Sequence, residues 1–502
     1  MIKAINNKKI LVSAMWLLGS VTFTSAQFVQ TGKVVSLDRE GRAEYGTSVD
    51  IKEDFAIVGA SRENIAAGAA YIYQKDSEGT WNDAQKLTAF DAREMAEFGG
   101  ASKFGEDFVV VASGRGDVNS IIRAGALYVY NFNDNNNTWE YNVKLHASDF
   151  SSDAKLGMNP TSLDVDGETI VGGAPGDSGW TGAVYIFEKE GGVWVEKQKI
   201  VSPNVQAGET FGIGVSLSGA VMAIGANETD NRKGSVYMYE KSTTGTWEYQ
   251  EQLMASDATS DAFFGSSVSI DQDQLVVGAY GANSEAGAAY IYQKDSSGSW
   301  RETQKLTGAP ASESAQFGWN TEIKEDNVVI SAPHAYGFDP GELYFFKKNT
   351  EETWIEESII QGEDTVGEDF FGWSVALYGD QLISGAPWED HDASGGEEID
   401  RAGSAYIFKD DSVLGNNLDK NKPNFNVTVY PTPVNEKITV KIKNSSISSL
   451  ALYSQAGSEL KPKIVIANNE AHCYVSNISA GIYFLKIVAT NGVVTTKKIV
   501  KM

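Results

Sequence analysis

Phe264-Gly265-Ser266-Ser267-Val268-Ser269-Ile270-Asp271-Gln272-Asp273-Gln274-Leu275-Val276-Val277-Gly278-Ala279 decides the fold, because the chain writes this pattern seven times. Its aromatic-Gly opening recurs at Tyr45-Gly46, Phe98-Gly99, Phe211-Gly212, Phe317-Gly318 and Phe371-Gly372, and Leu156-Gly157 fills the remaining place. Successive steps are 53, 58, 55, 53, 53 and 54 residues, a period that marks a repeat architecture. Each opening leads into a β-rich hairpin that ends in small residues, such as Val58-Gly59-Ala60, Ile224-Gly225-Ala226 or Gly385-Ala386-Pro387. A variable loop follows, then a third strand of the type Gly68-Ala-Ala-Tyr71-Ile-Tyr73, seen again at Tyr128, Tyr185, Tyr237, Tyr290, Tyr344 and Tyr406. A fourth strand runs through Trp81, Trp139, Trp194, Trp247, Trp300 and Trp354. Four alternating strands per copy, with no helical period between them, predict one propeller blade per copy.

The seventh copy stops after Phe408 and lacks its Trp strand, but the missing piece stands at the other end of the chain. Gly32-Lys33 through Asp38 and Ala43 through Gly46 align without gaps on Gln85-Lys86 through Asp91 and Ala96 through Gly99. The expected fold class is therefore all-β: a seven-bladed β-propeller closed by an N-terminal strand, with a small C-terminal Ig-like β-sandwich. Closure removes the open sheet edges that would template aggregation.

These residues resemble the FG-GAP repeat family, which includes the integrin α-chain propeller, and are closest to its short bacterial variant; the resemblance spans roughly residues 31–409. Integrin-type repeats often hold calcium in an Asp-rich loop between the first two strands. The equivalents here are tight turns such as Asp164-Val-Asp166-Gly167-Glu168, which lack the oxygen ligands of a calcium cage, so that property does not carry over.

Beyond a polar stretch at 413–424, read as a linker, about seven short strands occupy 425–502. Val429-Tyr-Pro431-Thr-Pro433-Val434-Asn435, Tyr453-Ser-Gln-Ala-Gly457, Ser479-Ala-Gly481-Ile-Tyr483-Phe-Leu-Lys486 and Lys497-Lys-Ile-Val-Lys501 are similar to the C-terminal sorting domain of type IX secretion substrates of Bacteroidetes. That resemblance implies partnership with the type IX machinery, passage across the outer membrane, removal of the domain, and release or attachment at the cell surface. At the other end, Lys3, Lys8 and Lys9, the apolar run Ile10 to Val21 and Thr24-Ser25-Ala26 before Gln27 form the pattern of a signal peptide over 1–26. The expected domains are thus the signal peptide, a propeller over 27–412, the linker and the sorting domain. No stretch has the roughly 18 to 20 uninterrupted apolar residues of a spanning helix.

The formal charge of −26 conceals +3 in residues 1–26 and +7 in 422–502, so residues 27–421 carry −36. Phosphate backbones require clustered Lys and Arg, which argues against nucleic acid as a partner. The single cysteine, Cys473, alternates with apolar neighbours and reads as a core residue. With four histidines and no His-Glu-x-x-His or Gly-x-Ser-x-Gly arrangement, neither zinc hydrolysis nor a nucleophile elbow has support, and no catalytic or cofactor-binding residue is assigned. The recurring Trp and Tyr residues invite a sugar-stacking reading, but recurrence in every copy points to packing between blades, because recognition uses unique loops. Arg115-Gly116-Asp117, the tripeptide integrins recognise, reads as a turn in a Gly- and Asp-rich loop.

Loop lengths diverge only between the second and third strands, which places recognition of a protein or glycan ligand on that face. The leading expectation is a noncatalytic binding or adhesion protein; the alternatives are a polysaccharide-degrading enzyme on a propeller fold and a structural surface-layer component. The longest loop, Trp388 to Arg401, packs six carboxylates into fourteen residues. Hard oxygen ligands suit calcium, with Asp390, Asp392 and Asp400 as expected ligands and Glu397 and Glu398 as further donors. The competing reading is a solvated acidic tip partly neutralised by Arg401.

Overall fold

The structure is a computed structural model that describes residues 28–410 apart from 205–206, 309–313 and 334–339, and residues 426–501 apart from 431–433, 435, 444–445, 455–458, 468–469, 480 and 490–493. The expected signal peptide and linker lie outside the described residues. The chain divides into two compact units, Met1–Asp411 and Ser412–Met502.

The first unit consists of four-stranded antiparallel sheets, seven among the described residues. In the first, Tyr45–Lys52, Phe55–Ala60, Ala69–Lys75 and Trp81–Leu87 pair in chain order. Five more repeat that order, from Phe98–Phe104 through Leu145, and so on to Trp354–Ile360. The last joins Val375–Tyr378, Gln381–Ala386 and Ser404–Asp410 to an outer strand from the far end of the chain, Phe28–Val34, with Lys33 opposite Tyr406 and Val34 opposite Ala405. The alternation in these strands buries one residue set against the neighbouring sheet: Val58, Tyr71 and Tyr73 of the first sheet share a core with Ile383, Ala405 and Ile407 of the last.

The repeated glycines have a steric cause. Gly68 opens the third strand at φ +85° and forms a parallel bridge to Phe98 of the next sheet; a Cβ there would lie 2.0 Å from the Phe98 carbonyl oxygen. Only glycine tolerates both the positive φ and that approach. The same bridge recurs between Gly125 and Leu156, Gly182 and Phe211, Gly234 and Phe264, and Gly287 and Phe317. It appears once more between Gly403 of the last sheet and Tyr45 of the first. First strands of successive sheets touch in order, and Tyr45–Lys52 also packs on Val375–Tyr378 and Gln381–Ala386.

The second unit has two four-stranded sheets, ordered Asn426–Tyr430, Lys437–Lys443, Glu470–Tyr474, Lys463–Ala467 and Glu459–Leu460, Ile447–Ser454, Gly481–Ala489, Val494–Lys501. Among the described residues eight strands stand where about seven were expected; the extra one, Glu459–Leu460, is two residues long and pairs with Leu452 and Tyr453. Val440, Leu452, Cys473, Leu485 and Ile487 meet in a shared core. Burial pushes the Cys473 thiol up to about 11, as befits a packed rather than reactive residue.

Candidate functional site

The recurring aromatics are structural. In four sheets the Tyr of the third strand anchors the connection into its own sheet: Tyr128 donates to Asp91 at 2.7 Å, Tyr185 to Asp149 at 2.8 Å, Tyr290 to Asp257 at 2.7 Å and Tyr406 to Asp364 at 2.8 Å. A Lys of the outer strand closes each pair, as Lys144, Lys199, Lys305 and Lys33 do. Three outer-strand Trp residues are tied by a Gln of the sheet beside them: Gln85 brackets the Trp139 backbone, Gln198 that of Trp247 and Gln304 that of Trp354. These side chains hold sheet to sheet and are not available for stacking on a ligand.

Aspartates of the first strands do similar work. Asp164 accepts the Leu217 N–H at 2.8 Å, Asp50 that of Phe104 at 2.7 Å and Asp271 that of Glu325 at 2.8 Å, each reaching the next sheet. Lys103 lies 3.2 Å from Glu322 and 3.9 Å from Asp50. Burial, opposed by Lys103 and by the Phe104 N–H, still pushes Asp50 up to about 6.

The acidic loop spends its carboxylates on itself and on nearby arginines. Asp392 accepts the Ser394 hydroxyl at 2.7 Å and the backbone N–H groups of Ser394, Gly396 and Glu397 at 2.8, 2.9 and 3.1 Å, which hold its carboxyl far below the usual range. Asp390 accepts the Arg401 N–H at 2.6 Å, and Asp400 faces the Arg42 guanidinium at 2.9 Å. Glu397 lies 4.0 Å from Arg39 and Glu398 3.6 Å from His391. The expected calcium ligands are therefore engaged separately, and no group of three or more His, Cys, Asp or Glu side chains among the described residues is placed to hold a metal ion. Arg401 covers the face of Trp388 at 3.6 Å from the ring centre and also lies 3.9 Å from Asp400 of the same loop.

The same loop supplies Glu389, which no sequence signal singled out. It is fully buried, 3.0 Å from Lys33, and accepts hydrogen bonds from the Ser404 hydroxyl and the His391 backbone N–H. Arg115-Gly116-Asp117 is likewise bound inward: Arg115 pairs with Glu97 at 3.1 Å, and Asp117 accepts from Arg93 and from the Arg123 N–H. The turn reading fits that geometry.

One depression is built from residues that do not repeat. The residue after each aromatic-Gly pair is Thr47, Gly100, Met158, Ile213, Ser266, Trp319 or Trp373, and all seven line a single cavity of about 280 Å³ on the face of the variable loops. Identical positions from all seven sheets thus converge on one place. Trp319 lies 4.9 Å from Trp373 at 45° and 5.1 Å from Tyr280 at 51°, measured between ring centres and planes. The three half-buried rings make a concave apolar wall from the fifth, sixth and seventh sheets. Glu44, Arg62 and Glu97 face the cavity from the first and second, with Arg62 3.4 Å from Glu44 and 3.6 Å from Glu97. Burial, only partly opposed by Arg62, pushes the Glu44 carboxyl up. Ser61, Asn159, Pro160, Thr161, Asn227 and Asn320 complete the lining.

Sheets of this order, with an N-terminal strand completing the last one, define a protein of propeller-like sheets beside a second, separate β-unit. Comparison with known families agrees: the chain carries FG-GAP repeats, matched over residues 28–73, 194–239, 247–292 and 354–408, and a secretion system C-terminal sorting domain over 428–502. Each repeat match opens on an outer strand and runs into the next sheet, so the match at 28–73 begins on the strand that completes the last sheet. The sorting domain assigns the protein to type IX export and to the outer surface or the medium. No curated protein sequence matches the chain. Among solved structures, one chain of "Crystal Structure of Mitotic Checkpoint Complex" is 12% identical with a TM-score of 0.47, covering 80% of this chain and 99% of that one. Sqt1 of Saccharomyces cerevisiae is 11% identical with a TM-score of 0.44, covering 77% and 98%. Neither likeness bears on function.

Proposed function

We propose that the chain is a seven-bladed β-propeller over 27–412, closed by its N-terminal strand, and that it binds a ligand without catalysis at the depression on its loop face. A signal peptide over 1–26 and an Ig-like sorting domain over 425–502, joined through the linker 413–424, deliver it through the type IX machinery to the cell surface or beyond. The observation that carries the binding role is the break in repetition at the centre of the ring. Packing demands the same residue in every sheet, whereas an aromatic wall confined to three adjacent sheets beside a polar remainder is what a ligand of one orientation requires.

The test is an array of glycans and extracellular proteins probed with the mature chain, beside Trp319→Ala and Trp373→Ala variants of unchanged melting temperature. Retention on at least one array member, lost in both variants, is the expected result. Retention that both variants keep in full would move the binding surface elsewhere.

A further inference from the structure

Resting on that binding reading, we propose that the depression takes a neutral saccharide, one pyranose ring stacking on the Trp319 and Trp373 wall while its hydroxyls meet the side-chain amides of Asn320 and Asn159. Sugar rings present an apolar face of C–H groups and an equatorial rim of hydroxyls, so their sites combine a flat aromatic surface with groups able both to donate and to accept.

Both parts are present. Trp319 and Trp373 serve no recurrent packing role, since five of the seven sheets have Thr47, Gly100, Met158, Ile213 or Ser266 in the same place. Asn320 is 6% exposed, and its backbone N–H bonds to the Ser331 hydroxyl, yet its side-chain amide has no hydrogen-bond partner among the described residues. Asn159 uses its amide oxygen on the Thr161 hydroxyl at 3.0 Å, which leaves its NH₂ for a ligand. An amide without a protein partner that lines a depression open to solvent can exchange water for a ligand hydroxyl.

Charge separates this class from the others. Glu44 and Glu97 are the carboxylates of the depression, and the guanidinium groups of Arg62 and Arg115 lie 3.1 to 3.6 Å from them. With those charges paired, the depression offers little net field to a cation or an anion. Its volume, about 280 Å³, stands at the small end of ligand pockets and suits one ring of a chain that continues into solvent.

The experiment is saturation-transfer NMR and calorimetry on the mature protein with methyl glycosides of glucose, galactose, mannose and N-acetylglucosamine, their disaccharides, and tetramethylammonium as a cationic probe. At least one neutral saccharide should bind, and Trp373→Ala and Asn320→Ala should each weaken it at least about tenfold. Trp373→Phe, which keeps a ring, should retain part of the affinity and guards against a folding defect in the alanine variant. Tetramethylammonium binding without any saccharide would overturn the ligand class and leave the binding site standing. Saccharide binding that survives all the substitutions would overturn the placement. No response to any probe at about 10 mM would overturn the saccharide proposal, while the array result would still decide whether the protein binds at all.

Discussion

Replacing Lys33 by Gln should destabilise the protein by about 3 kcal/mol. Lys33 lies on the strand that completes the last sheet, with its Nζ 2.7 Å from Asp364 and 3.0 Å from Glu389. The Lys33 side chain is 4% exposed and that of Glu389 0%. Removing one partner of a buried pair costs about 3–5 kcal/mol, because the other charge stays buried without compensation. The lower end applies here, since Glu389 keeps the donors of Ser404 and His391, and Asp364 keeps Tyr406. The fourth sheet shows how the same place is built without an ion pair: opposite Tyr237 stands Gln252 instead of Lys, and Thr229 takes the acid's position. Lys33→Gln/Glu389→Thr should therefore recover most of the loss. Thermal and denaturant unfolding of the mature protein measures both variants, and 3 kcal/mol corresponds to roughly 4 °C if all the sheets melt as one unit. A single variant as stable as the wild type, or a double variant no better than the single, would refute the claim that this strand locks the last sheet through a buried charge.

Three further outcomes are expected. Deleting residues 425–502 should leave the remaining chain folded but retained in the periplasm of a host with type IX machinery, and fractionation by immunoblot shows it; wild-type amounts in the medium would contradict the sorting role. Burial, followed by the charges of Glu389 and Asp390, pushes Asp369 up to about 7, so its ionisation opposes folding and wild-type stability falls as pH rises from about 4 to about 7. Asp369→Asn keeps an acceptor for the Val366 N–H, so the two proteins should match near pH 4 and the variant should be the more stable at pH 8, as read by denaturant midpoints. Asp392→Ala removes the acceptor of three backbone N–H groups, so limited proteolysis should open the loop at 390–402 at equal rates with and without calcium. Protection of the wild-type loop by calcium, lost in the variant, would instead support a cation site in this loop.

The fold was legible because its steric requirements repeat. A glycine that must pass within van der Waals contact of the next sheet's carbonyl cannot drift in sequence, and so Gly68 and its counterparts mark the sheet junctions in the bare chain. Closure was legible for the same reason: residues 32–46 match 85–99 since Lys33 and Lys86 occupy the same place against Tyr406 and Tyr71. Glu459–Leu460 was not legible, as two residues carry no period.

The site was hidden by what sequence displays most loudly. Charge density in the 388–401 loop is visible at once, but the direction of each carboxylate is set by turns: Asp392 accepts from the backbone of its own turn and Asp390 from that of Arg401. Trp319 and Trp373 were visible as departures at a position where the other copies have small or aliphatic residues, yet their meaning depends on seven positions about 50 residues apart arriving at one point. A repeat protein uses its recurring residues to hold copies together, so the positions free to recognise something are those where the copies disagree. The same logic separates the two kinds of exception in this chain. Gln252 and Thr229 replace an ion pair in concert and keep the packing, whereas Trp319 and Trp373 replace residues that needed no replacement, beside Asn320, an amide with no protein partner among the described residues.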